Sequence, residues 1–242
     1  MRCALLLVAA VVVAGCGSNA STSYDTTQPT TTSAPTTTTS PETTSLLIYL
    51  VDPDDGKLSV ADRSVPKTQA VARAALEALA EANDSQVPAG LSVAIAIANG
   101  EASVSGAELS PAAEAQVVYT LTQFPSVTSV NGKTRPDVED FVPAILVEHP
   151  TPGATVSSPL RVTGNANTFE ATFQYELRDA DGKVLAKHFV TATSGTGMRG
   201  TFDFSVRFTV GDAQDGALVV YENSAENGAV IHKRTIPLRL AP

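Results

Sequence analysis

Cysteine, tryptophan and histidine are the scarce residues of this chain. Of 242 residues, two are cysteine, three are histidine and none is tryptophan. The cysteines, Cys3 and Cys16, both precede any foldable segment, so no disulfide framework is available and the folded part depends on core burial alone. His149, His188 and His232 do not share a helical turn, which excludes the short histidine motifs of zinc hydrolases. Each is expected to be an ordinary surface or half-buried residue of a strand or strand end. No Gly-x-Ser-x-Gly elbow, phosphate loop or dinucleotide fingerprint appears. The chain therefore reads as a non-enzyme, with no catalytic residue, cofactor or metal site expected. Positive charge is also short, with 16 Lys and Arg against 25 Asp and Glu. The net charge of −9 and the isoelectric point near 4.8 exclude nucleic acid and a basic membrane-docking face, because neither phosphate backbone nor anionic lipid attracts such a chain.

Long apolar runs are missing as well. The run at residues 4–14 is Ala, Leu and Val without a charge, shorter than the roughly 20 residues a membrane span requires. Met1 and Arg2 before it and Val13-Ala14-Gly15-Cys16 at its end give the layout of a signal peptide. The final four residues resemble the lipobox of bacterial lipoproteins. The resemblance implies that residues 1–15 are removed and that Cys16 carries the lipid; an ordinary secretory signal containing a cysteine is the alternative. A lipidated Cys16 brings at least two acyl chains, about what stable anchoring requires, and the protein is then expected on the extracytoplasmic face of the cell membrane. Residues 16–45 follow as a tether, dominated from Ser18 to Thr44 by Thr, Ser and Pro. Such a composition buries too little apolar surface to offset its ordering entropy.

Beyond the tether, residues 46–136 alternate strand and helix signals. Leu46 to Val51 reads as a strand leading into the turn Asp52-Pro53-Asp54-Asp55-Gly56, with a second strand near residues 57–63. Pro66 opens a segment in which Val71, Ala75, Leu76 and Leu79 share one helical face. Val93, Ile95 and Ile97, then Ala102 and Val104, alternate around Asn99-Gly100, the pattern of a two-residue hairpin. Ser110 and Pro111 occupy N-cap and N1 of a second helix, with Glu114 in its first turn and Val117, Val118 and Leu121 as its apolar stripe. Two helices covering a small sheet make this an α+β domain.

Residues 131–140 are polar and turn-rich and read as a linker. From residue 142 to 242 the period is two throughout. Leu160 and Val162, then Phe169, Ala171, Phe173, Tyr175 and Leu177, then Phe202, Phe204, Val206, Phe208 and Val210 alternate with polar residues. Turn clusters at residues 151–153, 179–182, 211–212 and 226–228 separate about seven strands. That is the rhythm of an all-β immunoglobulin-like sandwich, with the aromatic alternation supplying its core.

Two stretches carry a family resemblance. Tyr119-Thr120-Leu121-Thr122-Gln123-Phe124-Pro125, preceded by Leu91-Ser92-Val93-Ala94-Ile95 and Ala74-Ala75-Leu76-Glu77-Ala78-Leu79, resembles the N-terminal domain of the spore germination protein GerM. His149 to Leu240 resembles the immunoglobulin-like domain of bacterial spore germination, through Pro159-Leu160-Arg161-Val162-Thr163-Gly164, Phe169-Glu170, Asp181-Gly182 and residues 221–228. The resemblance implies a non-catalytic protein-interaction module, similar to the ring-building domains of envelope-spanning complexes, and supplies no catalytic residue. After Val130 the chain passes directly to Asn131-Gly132-Lys133, so the closing strand of the first domain is expected to be truncated and to leave a neighbouring strand without its full partner. Asn227 stands where an Asp commonly precedes Gly228.

Two function classes stay open. In one, the protein is a membrane-anchored factor for assembly or maintenance of a cell-envelope complex, its α+β domain associating with an envelope protein or with itself. In the other, the sandwich binds cell-wall glycan or peptide as an adhesion module. An exposed aromatic row on one sheet face favours glycan; a bare sheet edge in the α+β domain favours protein. The acidic turns at Asp52, Asp54 and Asp55, and at Asp179 and Asp181, read as turn chemistry, with calcium as the alternative.

Overall fold

The computed structural model describes residues 42–88 and 96–242. The expected signal segment, Cys16 and nearly all of the tether lie outside the described residues, as do Leu91, Val93 and Ile95 of the hairpin. Strands β1 (Thr43–Val51) and β2 (Leu58–Pro66) pair antiparallel. The turn between them is closed by its own aspartates: Asp52 Oδ1 accepts from Asp54 N at 3.0 Å and Asp55 Oδ1 from Lys57 N at 2.9 Å. Gly56 follows with φ +69°, a value few other residues adopt without strain. Leu46 to Val51 are buried without alternation because β1 is covered by helices.

Helix α1 (Val71–Ala80) buries Ala72, Ala75, Leu76 and Leu79. Pro66, expected to open the helical segment, is instead the last residue of β2. Strands β3 (Ala96–Ala98) and β4 (Glu101–Ser103) pair across Asn99 and Gly100, both with positive φ, the two-residue turn that matches strand twist. Helix α2 (Pro111–Leu121) starts as its sequence dictates, Ser110 Oγ accepting from Ala113 N at 3.1 Å with proline at the first position. From Ala115 to Leu121 it is buried on every side, the mark of a helix at the centre of a core. Strand β5 (Ser129–Val130) is two residues long and lies parallel to β4. The small sheet is thus in two pieces, β1-β2 and β3-β4-β5, with α1 between them in sequence and α2 between β4 and β5.

The run expected as a linker is ordered. Thr134 and Asp137 close a reciprocal capping box, Thr134 N and Oγ1 both donating to Asp137 Oδ2, and the 3₁₀ segment Arg135–Phe141 buries Val138. Arg135 and Glu139 within it face partners, Thr122 and Arg199, a distinction that composition does not record.

Eight strands follow: β6 (Ile145–His149), β7 (Thr155–Val156), β8 (Leu160–Ala166), β9 (Thr172–Asp179), β10 (Val184–Thr191), β11 (Gly200–Val206), β12 (Gln214–Asn223) and β13 (Val230–Leu240). They form a three-stranded sheet, β11-β8-β6, and a five-stranded sheet, β10-β9-β12-β13-β7. The core between them holds Val162, Phe173, Leu177, Leu218, Val220 and Leu240, with Phe173 edge-on to Phe202 at 4.9 Å and Tyr175 stacked on Phe204 at 4.8 Å. This is the immunoglobulin-like architecture the alternation implies. Phe169 departs from it. It lies in a 3₁₀ turn, Phe169–Ala171, and is 51% exposed, because positive φ at Glu170 and Ala171 breaks the alternation before β9 begins. Phe208 and Val210 are buried but lie beyond the end of β11.

Strand β6 serves both cores. Leu146 belongs to the core of the first segment, whereas Ile145 and Val147 belong to the sandwich core. A strand with an apolar cluster on each face needs a continuous apolar run, and Ala144-Ile145-Leu146-Val147 supplies one. All described residues accordingly fall within one compact unit, Ser40–Pro242.

Candidate functional site at the domain junction

The motif at residues 119–125 is a structural device at the junction. Gln123 sits just past α2 and grips β1: its Nε2 donates to Leu47 O at 2.7 Å and its Oε1 accepts from Leu47 N at 3.1 Å. Thr120 Oγ1 accepts from Tyr49 N at 3.1 Å. Three groups on the open edge of β1, Leu47 N, Leu47 O and Tyr49 N, are thereby satisfied by side chains. Thr122 Oγ1 donates to Val118 O and accepts from Arg135 Nε at 2.9 Å, which holds the guanidinium over the Tyr119 ring, 4.5 Å from its centroid. Tyr49 lies beside Tyr119 at 5.2 Å.

Glu148, from the outward face of β6, completes this cluster. Its Oε1 accepts from Tyr49 Oη at 2.7 Å and Asn165 Nδ2 at 3.2 Å, and lies 3.5 Å from Arg135 Nη1. Burial first, and the Glu148 carboxylate second, push the Tyr49 phenol well above its ordinary value. Burial pushes Tyr119 up to about 12. A groove of about 520 Å³ opens here, lined by Ser45, Asp62, Gln123, Arg135, Glu148 and His149 among others.

Two further charge clusters join the segments. Arg199 meets Glu139 through Nε and Nη2, at 3.0 and 2.8 Å, and also donates to Asn165 Oδ1 and Pro143 O. Burial acts to raise the Glu139 pKa, but Arg199 and the Asn167 amide outweigh it and hold the carboxyl below its ordinary value. On the other side Arg234 pairs with Asp55 and stands 3.6 Å from Asp52. These aspartates are therefore committed to their own turn and to Arg234, an arrangement that leaves a calcium ion facing a cation. Asp179 Oδ1 likewise accepts from Asp181 N and Lys183 N.

Of the histidines, His149 ends β6, His188 lies exposed on β10, and His232 pairs its Nδ1 with Glu222 Oε2 at 2.8 Å. No group of three or more metal-ligating side chains occurs among the described residues. No described helix is long and apolar enough to cross a membrane. Cys16 lies outside the described residues. The strand expected to be left bare after Val130 is not bare at Val104, whose N–H and C=O are both met by the side chain of Asn131 at 2.8 Å. The outer face of the five-stranded sheet shows Phe189 at 56% exposure, but Tyr221 is buried there against Glu176 and Lys187, so the two rings do not make an exposed row. Arg135, Glu139, Glu148 and Arg199 escape a reading of sequence, since single charges beside apolar strands look like solvated positions.

Residues 47–131 match the family model described as sporulation and spore germination, and residues 144–229 the one described as immunoglobulin-like domain of bacterial spore germination. Among solved structures the chain is similar to the crystal structure of CopC from Methylosinus trichosporium OB3b, with 14% identity and a TM-score of 0.27 over 40% of this chain and 94% of that chain. No curated protein matches it.

Proposed function

We propose, for a chain that carries a sporulation and spore germination domain followed by the immunoglobulin-like domain of bacterial spore germination, that it is a lipid-anchored extracytoplasmic interaction module. Its task is assembly or maintenance of a cell-envelope complex, and its partner is an envelope protein or a second copy of itself. The observation that supports this reading best is the domain pair itself, built as one body on a shared strand, β6. A single compact body on a tether presents the surfaces of both domains together. Lipid on Cys16 confines the copies to two dimensions and raises the effective concentration of a weak contact.

Association falls to the α+β domain, through side-chain surfaces rather than an added strand. The edge groups of Leu47, Tyr49 and Val104 are occupied by Gln123, Thr120 and Asn131. Strand β10, an edge of the five-stranded sheet, carries Lys187 and a bulge between Val184 and Ala186, two devices against strand addition. Two experiments test the proposal. The Cys16→Ser protein is expected to leave the membrane fraction, and its retention after a high-salt wash overturns the anchor. Photocrosslinking probes at Arg73 and Glu77 on α1, and at Val184 and Phe189 on β10, locate the contact in intact cells. Specific adducts from the β10 probes alone overturn the assignment to the first domain.

A further inference from the structure

We infer that the groove beside Arg135 and Glu148 is a binding site for the zwitterionic head of an amino acid, free or at the end of a peptide. Arg135 has five N–H donors. Among the described residues its Nε is taken by Thr122 and its Nη1 reaches Glu148 at 3.5 Å, while Nη2 has no partner. Glu148 is as incompletely used: Tyr49, Asn165 and Arg135 all converge on Oε1, and Oε2 has none. The two side chains are 30% and 22% exposed, and both line the groove. An ion pair this long and this one-sided is poorly matched as a structural bridge, since a guanidinium and a carboxylate normally meet through two parallel hydrogen bonds. Arg199 and Glu139, in the same junction, do so.

The chemistry of the walls selects the ligand. An α-amino acid head places an ammonium and a carboxylate a few ångströms apart, which suits a carboxylate oxygen and a guanidinium held side by side. A purely anionic ligand meets repulsion from Glu148 and from Asp62, whose carboxylate also lines the groove and accepts from Ser45. A purely cationic ligand meets Arg135. The guanidinium is also positioned in advance: Thr122 fixes its Nε, and the Tyr119 ring lies beneath its plane at 4.5 Å. A cleft of about 520 Å³ at a domain junction has room for one amino acid or the end of a short peptide. The ligand carboxylate takes the Nη donors of Arg135 and its ammonium takes Glu148 Oε2. Gln123 stays on β1. The site is independent of the assembly reading, because it needs no protein partner.

The experiment is a nuclear magnetic resonance titration of the full chain with D- and L-alanine, N-acetylalanine, alanine amide and a cell-wall stem peptide. Saturable shifts at the Arg135 Nε–H and at the amides of Gln123 and Glu148 are expected with alanine of at least one hand, in the millimolar range. Each capped derivative is expected to bind at least about tenfold more weakly, since one charged contact is lost. Arg135→Gln is expected to abolish the shifts and Arg135→Lys to retain part of them. If Arg135→Gln does not fold, the comparison of capped and uncapped ligands on the unaltered protein decides. Tighter binding of the stem peptide or of free alanine supports the site and identifies its source. Equal binding of the capped forms, shifts confined to other surfaces, or no saturable shift with any probe overturns the proposal.

Discussion

Gln123 meets Leu47 as a neighbouring strand would, giving and taking one hydrogen bond through a single side-chain amide. Asn131 does the same for Val104 at the other small sheet. Leu47 is buried. Gln123→Ala is therefore expected to lower stability by about 1–3 kcal/mol, the cost of leaving buried polar groups unmet. Asn131→Gly, which removes the amide without straining the positive φ of this exposed position, is expected to cost less than about 1 kcal/mol. Chemical denaturation of the two variants checks the order, and equal losses defeat the distinction.

The local grammar of the chain was legible. Ser110 and Pro111 begin α2, Asn99 and Gly100 turn the hairpin, and the period-two aromatics lead to the sandwich. These features depend on neighbours in sequence. The junction depends on residues distant in sequence, as with Arg199 and Glu139 or Arg234 and Asp55, and a lone charge gives no sign of which distant charge it meets. The same reason explains the 3₁₀ segment Arg135–Phe141: its polar composition fits a linker, and its ordering comes from Thr134, Asp137 and Arg199 together. Phe169 falls outside β9 because hydrophobic alternation is blind to the positive φ of Glu170 and Ala171.

The boundary between the domains can be tested by where a fragment begins. A fragment of residues 142–242 is expected to fold with a cooperative transition, as the sandwich core is its own. It exposes Leu146, however, and leaves Arg199 without Glu139. A fragment beginning at Thr134 restores the carboxylate and is expected to be more stable by about 1–2 kcal/mol, a partly exposed pair being worth less than a fully buried one. Thermal melts of the two fragments check this. Absence of a cooperative transition in either one means that the sandwich is not autonomous.

Acid stability is expected to depend on Glu176. Only 6% exposed, it accepts from Lys187 at 2.9 Å, from Arg178 and from Tyr221. The Lys187 hydrogen bond is the largest influence on its carboxyl; burial opposes, Arg178 and Tyr221 assist, and the pKa falls from 4.5 to about 2. Its folded value lies below its unfolded one, so its contribution is complete above about pH 4.5 and is lost as pH falls toward 2. Glu139 acts in the same direction. Glu176→Gln is expected to lower stability at neutral pH and to flatten the acid limb. An unchanged slope of stability against pH between 4.5 and 2 contradicts this.

Tyr49 and Tyr119 predict opposite responses to the loss of a hydroxyl. Both phenols are raised by burial, Tyr119 to about 12, whereas an unfolded tyrosine titrates at 10.0. Folded values above the unfolded one mean that stability is complete below pH 10 and is lost as pH rises toward 12, because the unfolded chain releases protons that the folded chain retains. Each retained proton steepens the decline by about 1.4 kcal/mol per pH unit. At neutral pH the two residues differ. Tyr49 Oη donates to Glu148 at 2.7 Å, and Tyr49→Phe takes a partner from a half-buried carboxylate, at an expected cost of about 1–3 kcal/mol. The Tyr119 hydroxyl is buried and has no partner among the described residues, while its ring carries the contact with Arg135. Tyr119→Phe keeps the ring and removes the unmet group, so it is expected to be neutral or to stabilise by up to about 1 kcal/mol, and to flatten the alkaline limb. Denaturation at neutral pH together with tyrosinate absorbance on alkaline titration reads both effects. A loss of stability in Tyr119→Phe as large as that in Tyr49→Phe would show that the Tyr119 hydroxyl has a partner after all.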